Sequence, residues 1–290
     1  MNTANLYDDE TAKGFIAFQV HGIGKNTDLE GKEIKWRNIR IKTENLEAER
    51  MQGTLAPEVN RVPNYLTDAE KADGWNLLFD GQTTTGWRGA HKEAFPDHGW
   101  KVEDGQLIVL KSGGGESTNG GDIVTDKEYA AFELSLEFKI TPGANSGIKY
   151  FVTEAEKPSG SAYGLEYQIL DDKLHPDAKL YTTTPGSRTL ASLYDMMPAG
   201  NKRFNGVGNW NQAVLKVFPN NHVEHWLNGF KTLEYDRGSD AFRELVKGSK
   251  YAAPSYNEAG RFGEAPQGHI LLQDHGDEVA FRSIKIKELK

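Results

Sequence analysis

The sequence predicts an all-β protein, a sandwich or barrel assembled from many short strands. Its 290 residues include 31 glycines, 11 prolines, 13 phenylalanines and 11 tyrosines. Glycine and proline are typical of turns, and aromatic residues are enriched in strands. Apolar and polar residues alternate in segment after segment, whereas a helical period persists only over residues 240–246. Many short strands at regular spacing favour a sandwich or a barrel.

The first alternating segments lie within residues 14–43 and predict two strands. Ile16 and Phe18 alternate with their neighbours in the first segment, and Ile39 and Ile41 alternate with basic residues in the second. Two strands alone are marginally stable in water. We therefore expect this hairpin to pack on its own domain or on another subunit.

The same hairpin repeats the end of the chain. Residues 14–22 are similar to residues 268–276, and residues 34–42 are similar to residues 279–287. Both copies keep the pattern Gln-x-His-Gly. The period is a whole domain, far longer than that of a solenoid repeat. The domain prediction is a closing hairpin of a truncated preceding copy over 1–45, a linker over 46–73 and a complete domain over 74–290.

The predicted linker has one element of its own. Alternation is lost over residues 46–73, which contain Pro57 and Pro63. Thr67 and Glu70 have the spacing of a capping box, which predicts a short helical turn through Ala72. An exposed polar loop is the alternative.

The complete domain begins with the strand at Trp75. The Asp104-Gly105 and Asn228-Gly229 pairs predict two-residue hairpin turns. Residues 240–246 predict a short helix. Strands are predicted over residues 75–79, 100–103, 107–110, 132–138, 147–152, 164–170, 214–218, 222–227, 230–233, 269–273 and 279–287.

Composition excludes several classes of function. The formal net charge is −8, which argues against a nucleic-acid partner, because phosphate binding needs clustered Lys and Arg. The absence of cysteine excludes disulfides, thiolate metal ligands and Cys nucleophiles. No apolar run is long enough to cross a bilayer, so we predict no transmembrane segment.

Two strands present polar residues that suit sugar chemistry. Glu166 and Gln168 share one strand face, while Ile169 on the other face belongs in the core. A carboxylate beside an amide suits sugar recognition or acid–base chemistry, and the alternative is a solvated polar face. Gln273 and His275 share a face near the end of the chain, where His275 is a candidate base or metal ligand, or else a structural histidine.

Two further groups are candidates by residue type. Lys149 is expected on the same strand face as Phe151, as a cation for an oxyanion or as an ordinary exposed lysine. A loop rich in His and Asp, which includes His175 and Asp177, could hold a metal ion or form an ordinary turn.

Four segments in order along the chain resemble the DUF1080 family of 3-keto-disaccharide hydrolases. They are residues 75–81, 145–152, 165–172 and 271–289. The resemblance covers residues 74–290 and implies a concanavalin A-like jelly-roll β-sandwich that acts on a carbohydrate. It also implies a periplasmic or extracellular location in a bacterium, although no signal peptide follows Met1.

The resemblance implies cleavage of glycosides whose C3 hydroxyl is oxidised to a ketone. The ketone acidifies the C2 proton, a base removes it, and the aglycone leaves C1 by elimination. Addition of water can complete a net hydrolysis, so the enzyme would be a lyase or a hydrolase. Glu166 or His275 would be the base; Lys149, or a divalent metal ion held by His275 and Glu166, would stabilise the enolate. Gln168 and Gln273 would orient the sugar. Further cleft candidates that match family motifs are Asp171, Arg188 and Tyr194.

Two other functions remain open at the level of sequence. A non-catalytic, lectin-like carbohydrate-binding module can have the same fold, because fold does not determine function. A structural adhesion module would use the N-terminal hairpin as a strand exchanged with another subunit. Convergence of Glu166, Lys149 and His275 in one pocket would favour the enzyme.

Overall fold

The structure is a computed structural model in which the chain forms two compact units, Met1–Val62 and Pro63–Lys290. It describes residues 58–113, 115–154, 160–257 and 260–290, together with residues 5–7, 15–19 and short stretches or single positions between 22 and 44.

The first unit contains one pair of short strands among its described residues. Strand β1 (Asn5–Tyr7) pairs in parallel with β2 (Glu58–Asn60). The described residues of the predicted hairpin over 14–43 lie outside strands, and Phe15 and Ile16 are exposed. The two predicted strands are therefore not seen there, in keeping with the weak stability of a hairpin whose apolar face is not buried. The other positions of that range lie outside the described residues. Its origin as a closing hairpin, and its docking on the domain or on a subunit, stay predictions.

The second unit is a sandwich of two antiparallel sheets. Its strands are β3 (Trp75–Leu77), β4 (Trp87–Gly89), β5 (Trp100–Glu103), β6 (Gln106–Val109), β7 (Ile123–Tyr129), β8 (Phe132–Ile140), β9 (Asn145–Thr153), β10 (Tyr163–Leu170), β11 (Asn211–Val217), β12 (His222–Leu227), β13 (Phe230–Asp236), β14 (Gly268–Leu272) and β15 (Val279–Glu288). The five-stranded small sheet has the order β10-β9-β14-β7-β4, and the eight-stranded large sheet has the order β13-β12-β11-β8-β15-β6-β5, with β3 paired to β15. The predicted all-β sandwich is confirmed.

Two short helices accompany the sheets, α1 (Asp68–Ala72) and α2 (Asp240–Lys247). The capping box predicted for α1 is present: the Thr67 hydroxyl accepts the Glu70 backbone N–H, and the Glu70 carboxylate accepts the Thr67 N–H. Neither helix of the described part of the chain has the length and apolarity that a membrane crossing needs.

Most predicted strands are found, and the residues of the Asp104-Gly105 turn explain how β5 pairs with β6. Asp104 and Gly105 both have positive φ (49° and 70°), as a type I′ turn between β5 and β6 requires. Strands β4 and β7 were not predicted, because β4 has three residues and β7 lacks clean alternation.

The core between the sheets includes polar groups that bond across it. The Tyr150 hydroxyl on β9 lies 2.6 Å from the Tyr235 hydroxyl and 2.9 Å from Nε2 of His225 on the large sheet. Complete burial lowers the pKa of His225 to about 3, so this histidine is a neutral core residue.

A bulge in β9 corrects one expectation. Phe151 has a positive φ of 53°, and the pairing of β9 with both neighbours slips at this point. Phe151 consequently packs in the core beside Tyr150, and the prediction that it shares a face with Lys149 is wrong. The bulge breaks the alternation from which that prediction was made.

Candidate active site

Strands β9 and β10 set Lys149 and Glu166 side by side. The two residues are direct cross-strand partners in the small sheet. Tyr150 and Tyr167 on the same strands reach toward the large sheet, so Lys149 and Glu166 lie on the opposite face. Gly147 makes room for them, because a Cβ at this position would collide with the Glu166 carboxylate.

Two adjoining cavities open on this face and share three charged residues. Glu116, Glu166 and Lys250 line both of them. The large cavity has a volume of about 120 Å³ and the small cavity about 20 Å³. We call the two together the cleft.

The large cavity combines charge with aromatic rings. Lys149 reaches it from β9, and Tyr163, Tyr251 and Tyr256 line it. The Tyr163 and Tyr256 ring centroids are 4.9 Å apart, and the Tyr251 ring stacks on Phe262 at 4.0 Å. Aromatic rings beside charged groups are suited to contact with a sugar ring, whose faces are apolar and whose edges are polar.

Most of the polar residues predicted for the functional site line the small cavity. Gln168, Gln273, His275 and Tyr194 line it, together with Asn145. Asn145 begins β9, Gln168 lies within β10, and the other three lie in loops. Glu166, Lys149 and His275 thus meet around one cleft, with Glu166 between the other two.

The Lys149 ammonium is neutralised by acidic neighbours. Its Nζ lies 3.0 Å from Oε1 of Glu116 and 3.7 Å from Oδ2 of Asp122. Burial alone would lower the pKa of Lys149, but Glu116, Asp122 and Glu166 together raise it above its usual value. The attraction of Lys149 lowers the pKa of Glu116 to about 2. Lys149 therefore stays charged, with its charge already offset.

Glu166 is a buried carboxyl group with an unusual proton affinity. It is 3% exposed, and burial raises its pKa to about 7 despite the opposing attraction of Lys149 and Lys250. Asp122, also buried, has its pKa raised to about 6 for the same reason. A carboxyl group that titrates near neutral pH in a cleft is suited to general acid–base catalysis.

Lys250 is a functional candidate that the sequence analysis missed. Its Nζ lies 4.4 Å from the Tyr194 ring centroid, 5.2 Å from that of Tyr251 and 5.7 Å from that of Tyr256. Burial lowers its pKa, and none of the ion pairs in the described part of the chain includes its ammonium group. Lys250 rather than Lys149 is thus the cation available to a ligand.

Lys250 and Glu116 lie in loops, which explains why alternation gave no signal for them. Lys250 begins the single turn of 3-10 helix Lys250–Ala252 after α2, and Glu116 lies between β6 and β7. The tyrosines that follow Lys250 are the single sequence feature that could have drawn attention to it.

Two predicted cleft residues lie elsewhere. The Asp171 carboxylate accepts the backbone N–H groups of Gly143 and Lys173, so it fixes a turn. Arg188 donates to Asp195 and to Asp177. Neither residue lines the cleft.

Arg188 nevertheless acts on the cleft indirectly. Asp177, which accepts from Arg188, also accepts the Tyr194 hydroxyl at 2.9 Å. The guanidinium group of Arg188 lies 5.3 Å from the Tyr194 ring centroid. Arg188 therefore positions Tyr194 at the small cavity.

The structure groups His275 with other possible metal ligands than the predicted Glu166. Ligand atoms of His275, His175 and Asp277 lie within 4.8 Å of one another, and Glu166 belongs to no such cluster of the described residues. Nδ1 of His175 accepts the Asp177 backbone N–H at 3.2 Å, and Oδ2 of Asp277 accepts the Asn145 N–H. His275, His175 and Asp277 are thus the residues near the cleft that could hold a divalent ion, and we derive no step through one.

Comparison with known proteins identifies the family. The sequence model of the 3-keto-alpha-glucoside-1,2-lyase-like domain matches residues 74–287. A 3-keto-disaccharide hydrolase of Bacteroides thetaiotaomicron is 38% identical over 236 residues, which are 75% of this chain and 79% of that protein.

Solved structures give the same result. A crystal structure of a proposed glycosyl hydrolase from Parabacteroides distasonis is 32% identical, with a TM-score of 0.66 over 79% of this chain and 100% of that one. A second from the same organism is 27% identical, with a TM-score of 0.54 over 74% of this chain and 99% of that one. The expected relationship is confirmed: the chain belongs to the family of 3-keto-alpha-glucoside-1,2-lyase-like domains and is a glycoside-acting protein.

Proposed function

We propose that this protein cleaves glycosides whose C3 hydroxyl is oxidised to a ketone, by removing the C2 proton and expelling the aglycone from C1. The observation that carries the proposal is the buried Glu166 carboxyl group, which has a pKa of about 7 and lines both cavities together with Lys250, whose ammonium group belongs to none of the ion pairs of the described residues. A base of this pKa accepts a proton at neutral pH and can also return it.

The first step moves one proton and one electron pair. The Glu166 carboxylate removes the C2 proton, and the electron pair of that C–H bond forms the enolate at C2, C3 and the ketone oxygen. The Lys250 ammonium stabilises the negative charge that develops on this oxygen. We assign this role to Lys250 because the charge of Lys149 is already offset by Glu116 and Asp122.

The second step breaks the glycosidic bond. The enolate electrons form a C1=C2 double bond, the C3 ketone is restored, and the aglycone leaves C1 with the electrons of the C1–O bond. His275 donates a proton to the departing oxygen. Gln168 and Gln273 hold the sugar hydroxyls, as the resemblance implies.

The convergence of charged groups supports an enzyme over a lectin-like module. A binding module needs a groove with hydrogen-bonding and aromatic groups, but gains nothing from a buried carboxyl group that titrates near neutral pH. We further propose that the protein acts in the periplasm or outside the cell, as the resemblance to the family implies.

The test compares a nitrophenyl 3-keto-glucoside with the unoxidised nitrophenyl glucoside. We expect the wild type to release nitrophenol from the keto form alone, and Glu166→Gln to lower kcat by about 10²–10⁴-fold, the usual contribution of a general base. Glu103→Gln, a change at the surface ion pair with Lys101, is the matched control. Full activity of Glu166→Gln, or equal cleavage of both glucosides, would contradict the proposal.

The same assay with a chelator tests the cation. We expect no loss of turnover. A loss that a divalent ion restores would assign the enolate to a metal rather than to Lys250.

A further inference from the structure

The Asp195 carboxylate is buried, and each of its oxygens accepts two hydrogen bonds. Its Oδ1 accepts the Thr182 backbone N–H at 3.0 Å and Nε–H of Arg188 at 2.8 Å. Its Oδ2 accepts the Thr182 hydroxyl at 2.6 Å and the Lys250 backbone N–H at 2.7 Å. Burial alone would raise the pKa of Asp195, but these hydrogen bonds lower it. Asp195 is therefore ionised at neutral pH.

Through Lys250, the Asp195 carboxylate reaches a residue that lines both cavities. Lys250 begins the 3-10 helix Lys250–Ala252, a single turn whose own hydrogen bonds fix its position only weakly. A hydrogen bond from a backbone N–H to a carboxylate is roughly twice as strong as one to a neutral acceptor. The Asp195 carboxylate therefore anchors the backbone from which the Lys250 side chain extends.

The residue before Asp195 contacts both reacting groups. The Tyr194 ring centroid lies 4.4 Å from Nζ of Lys250. The Tyr194 backbone N–H donates to the backbone carbonyl of Glu166 at 3.0 Å. Two successive residues thus connect the strand of the proposed base to the backbone and to the ammonium group of the proposed cation.

We propose that Asp195 is a positioning residue, which accepts the Lys250 backbone N–H and thereby sets the Lys250 ammonium at a fixed distance from the Glu166 carboxylate. This inference rests on the proposed function, in which Glu166 removes the C2 proton and Lys250 stabilises the enolate oxygen. The sugar ring fixes the separation of the C2 hydrogen and the ketone oxygen, so base and cation act together only if their own separation is fixed as well. Asp195 lines neither cavity and acts through Lys250.

Asp195→Asn tests this role, because asparagine has the same shape but lacks the charge that holds the Lys250 N–H. We expect kcat on the nitrophenyl 3-keto-glucoside to fall by about 10²-fold, the usual cost of a small misplacement of a catalytic group. KM should change little, since the contacts to the sugar hydroxyls remain. Asp80→Asn is the matched control and should keep kcat: the Asp80 carboxylate also accepts two backbone N–H groups and one hydroxyl, away from the cleft.

A double-mutant cycle separates the positioning of Lys250 from general support of the fold. In the Lys250→Met background there is no ammonium to misplace, so we expect Asp195→Asn to lower kcat no further. A structural role alone would lower kcat by the same factor in both backgrounds. That result would overturn the inference, as would an unchanged kcat in Asp195→Asn.

A milder variant serves if Asp195→Asn does not fold. Thr182→Val removes the hydroxyl that shares Oδ2 of Asp195 with the Lys250 N–H. We expect kcat to fall about tenfold, the effect of one hydrogen bond of ordinary strength, and not to fall in the Lys250→Met background. Thr183→Val, at the next exposed position of the loop, is the control. An equal fall in both backgrounds would again overturn the inference.

A measurement on the ligand-free protein separates this inference from the proposed function. The Lys250 ammonium lies over the Tyr194 ring, so the ring current should shift the Hε protons of Lys250 upfield. Their signal is observed by NMR in protein labelled with ¹³C at the lysine Cε, and it is assigned by its absence from Lys250→Met. We expect Asp195→Asn to move this signal toward those of exposed lysines, and an unchanged signal would overturn the inference. Failure of the wild type to release any aglycone would instead overturn the proposed function, and the NMR signal would still report the position of Lys250.

Discussion

At the scale of the residue, the proton affinity of Glu166 predicts the pH dependence of the reaction. Burial raises the pKa of Glu166 to about 7, and only the deprotonated form can remove the C2 proton. We therefore expect the rising limb of kcat/KM against pH to have its midpoint near 7, as measured by aglycone release across a pH series. A plateau already reached at about pH 5, close to an ordinary glutamate, would contradict this assignment.

The second residue-scale prediction concerns Lys250. Removing its charge in Lys250→Met should lower kcat by about 10²–10³-fold, the usual loss for one group that stabilises an oxyanion. Lys247→Met, which removes an exposed lysine paired with Glu244 on α2, is the control and should keep kcat. Equal values of kcat for both variants, measured on the keto substrate, would remove Lys250 from the mechanism.

Single residues were predictable from the sequence to the extent that they lie on regular strands. Alternation correctly separated Glu166 and Gln168 from the core residue Ile169. It could not indicate Glu116 or Lys250, because both lie in loops that the tertiary fold brings to the cleft. Asp171 was attractive by residue type alone, and its carboxylate is used to fix a turn.

At the scale of the element, β9 is the strand on which the cleft depends. Gly147→Ala would drive a Cβ into the Glu166 carboxylate on β10. We expect at least a tenfold loss of kcat together with a destabilisation of about 1–3 kcal/mol, the usual cost of overpacking. Gly200→Ala, whose Cβ would make only an ordinary contact, is the control for activity and for thermal unfolding.

An unchanged kcat in Gly147→Ala would show that Glu166 can shift without loss of activity, which would contradict the close placement that the mechanism needs.

The bulge at Phe151 in the same strand marks the limit of prediction at this scale. Alternation assumes a regular pleat, whereas one residue with positive φ places two successive aromatic side chains in the core.

At the scale of the whole molecule, the two compact units predict that the sandwich is self-sufficient. Both cavities and the hydrophobic core consist of residues after Pro63. Residues 63–290 alone should therefore fold and should keep kcat/KM for the keto substrate, as measured by thermal unfolding and by turnover. Loss of folding or of activity on deleting residues 1–62 would contradict this, and loss of a dimer would support the adhesion hypothesis.

The sandwich was predictable because turn pairs such as Asp104-Gly105 and the alternating strands are local signals. The approach of the loops that carry Glu116 and Lys250 to Glu166, on the face of the small sheet away from the large sheet, is a long-range property that no local pattern contains.

The measurement that tests the central claim most directly follows the hydrogen at C2. A 3-keto glucoside that carries deuterium at C2 is converted by the wild type, and the sugar product is analysed by mass spectrometry. If Glu166 removes the C2 proton, the deuterium exchanges with solvent or is lost from the sugar product, and kcat shows a primary isotope effect. Glu166→Gln loses its activity, and the isotope effect is lost with it. A product that keeps its deuterium at C2 and forms without any isotope effect on kcat would show that the glycosidic bond breaks without proton removal, and would contradict the account.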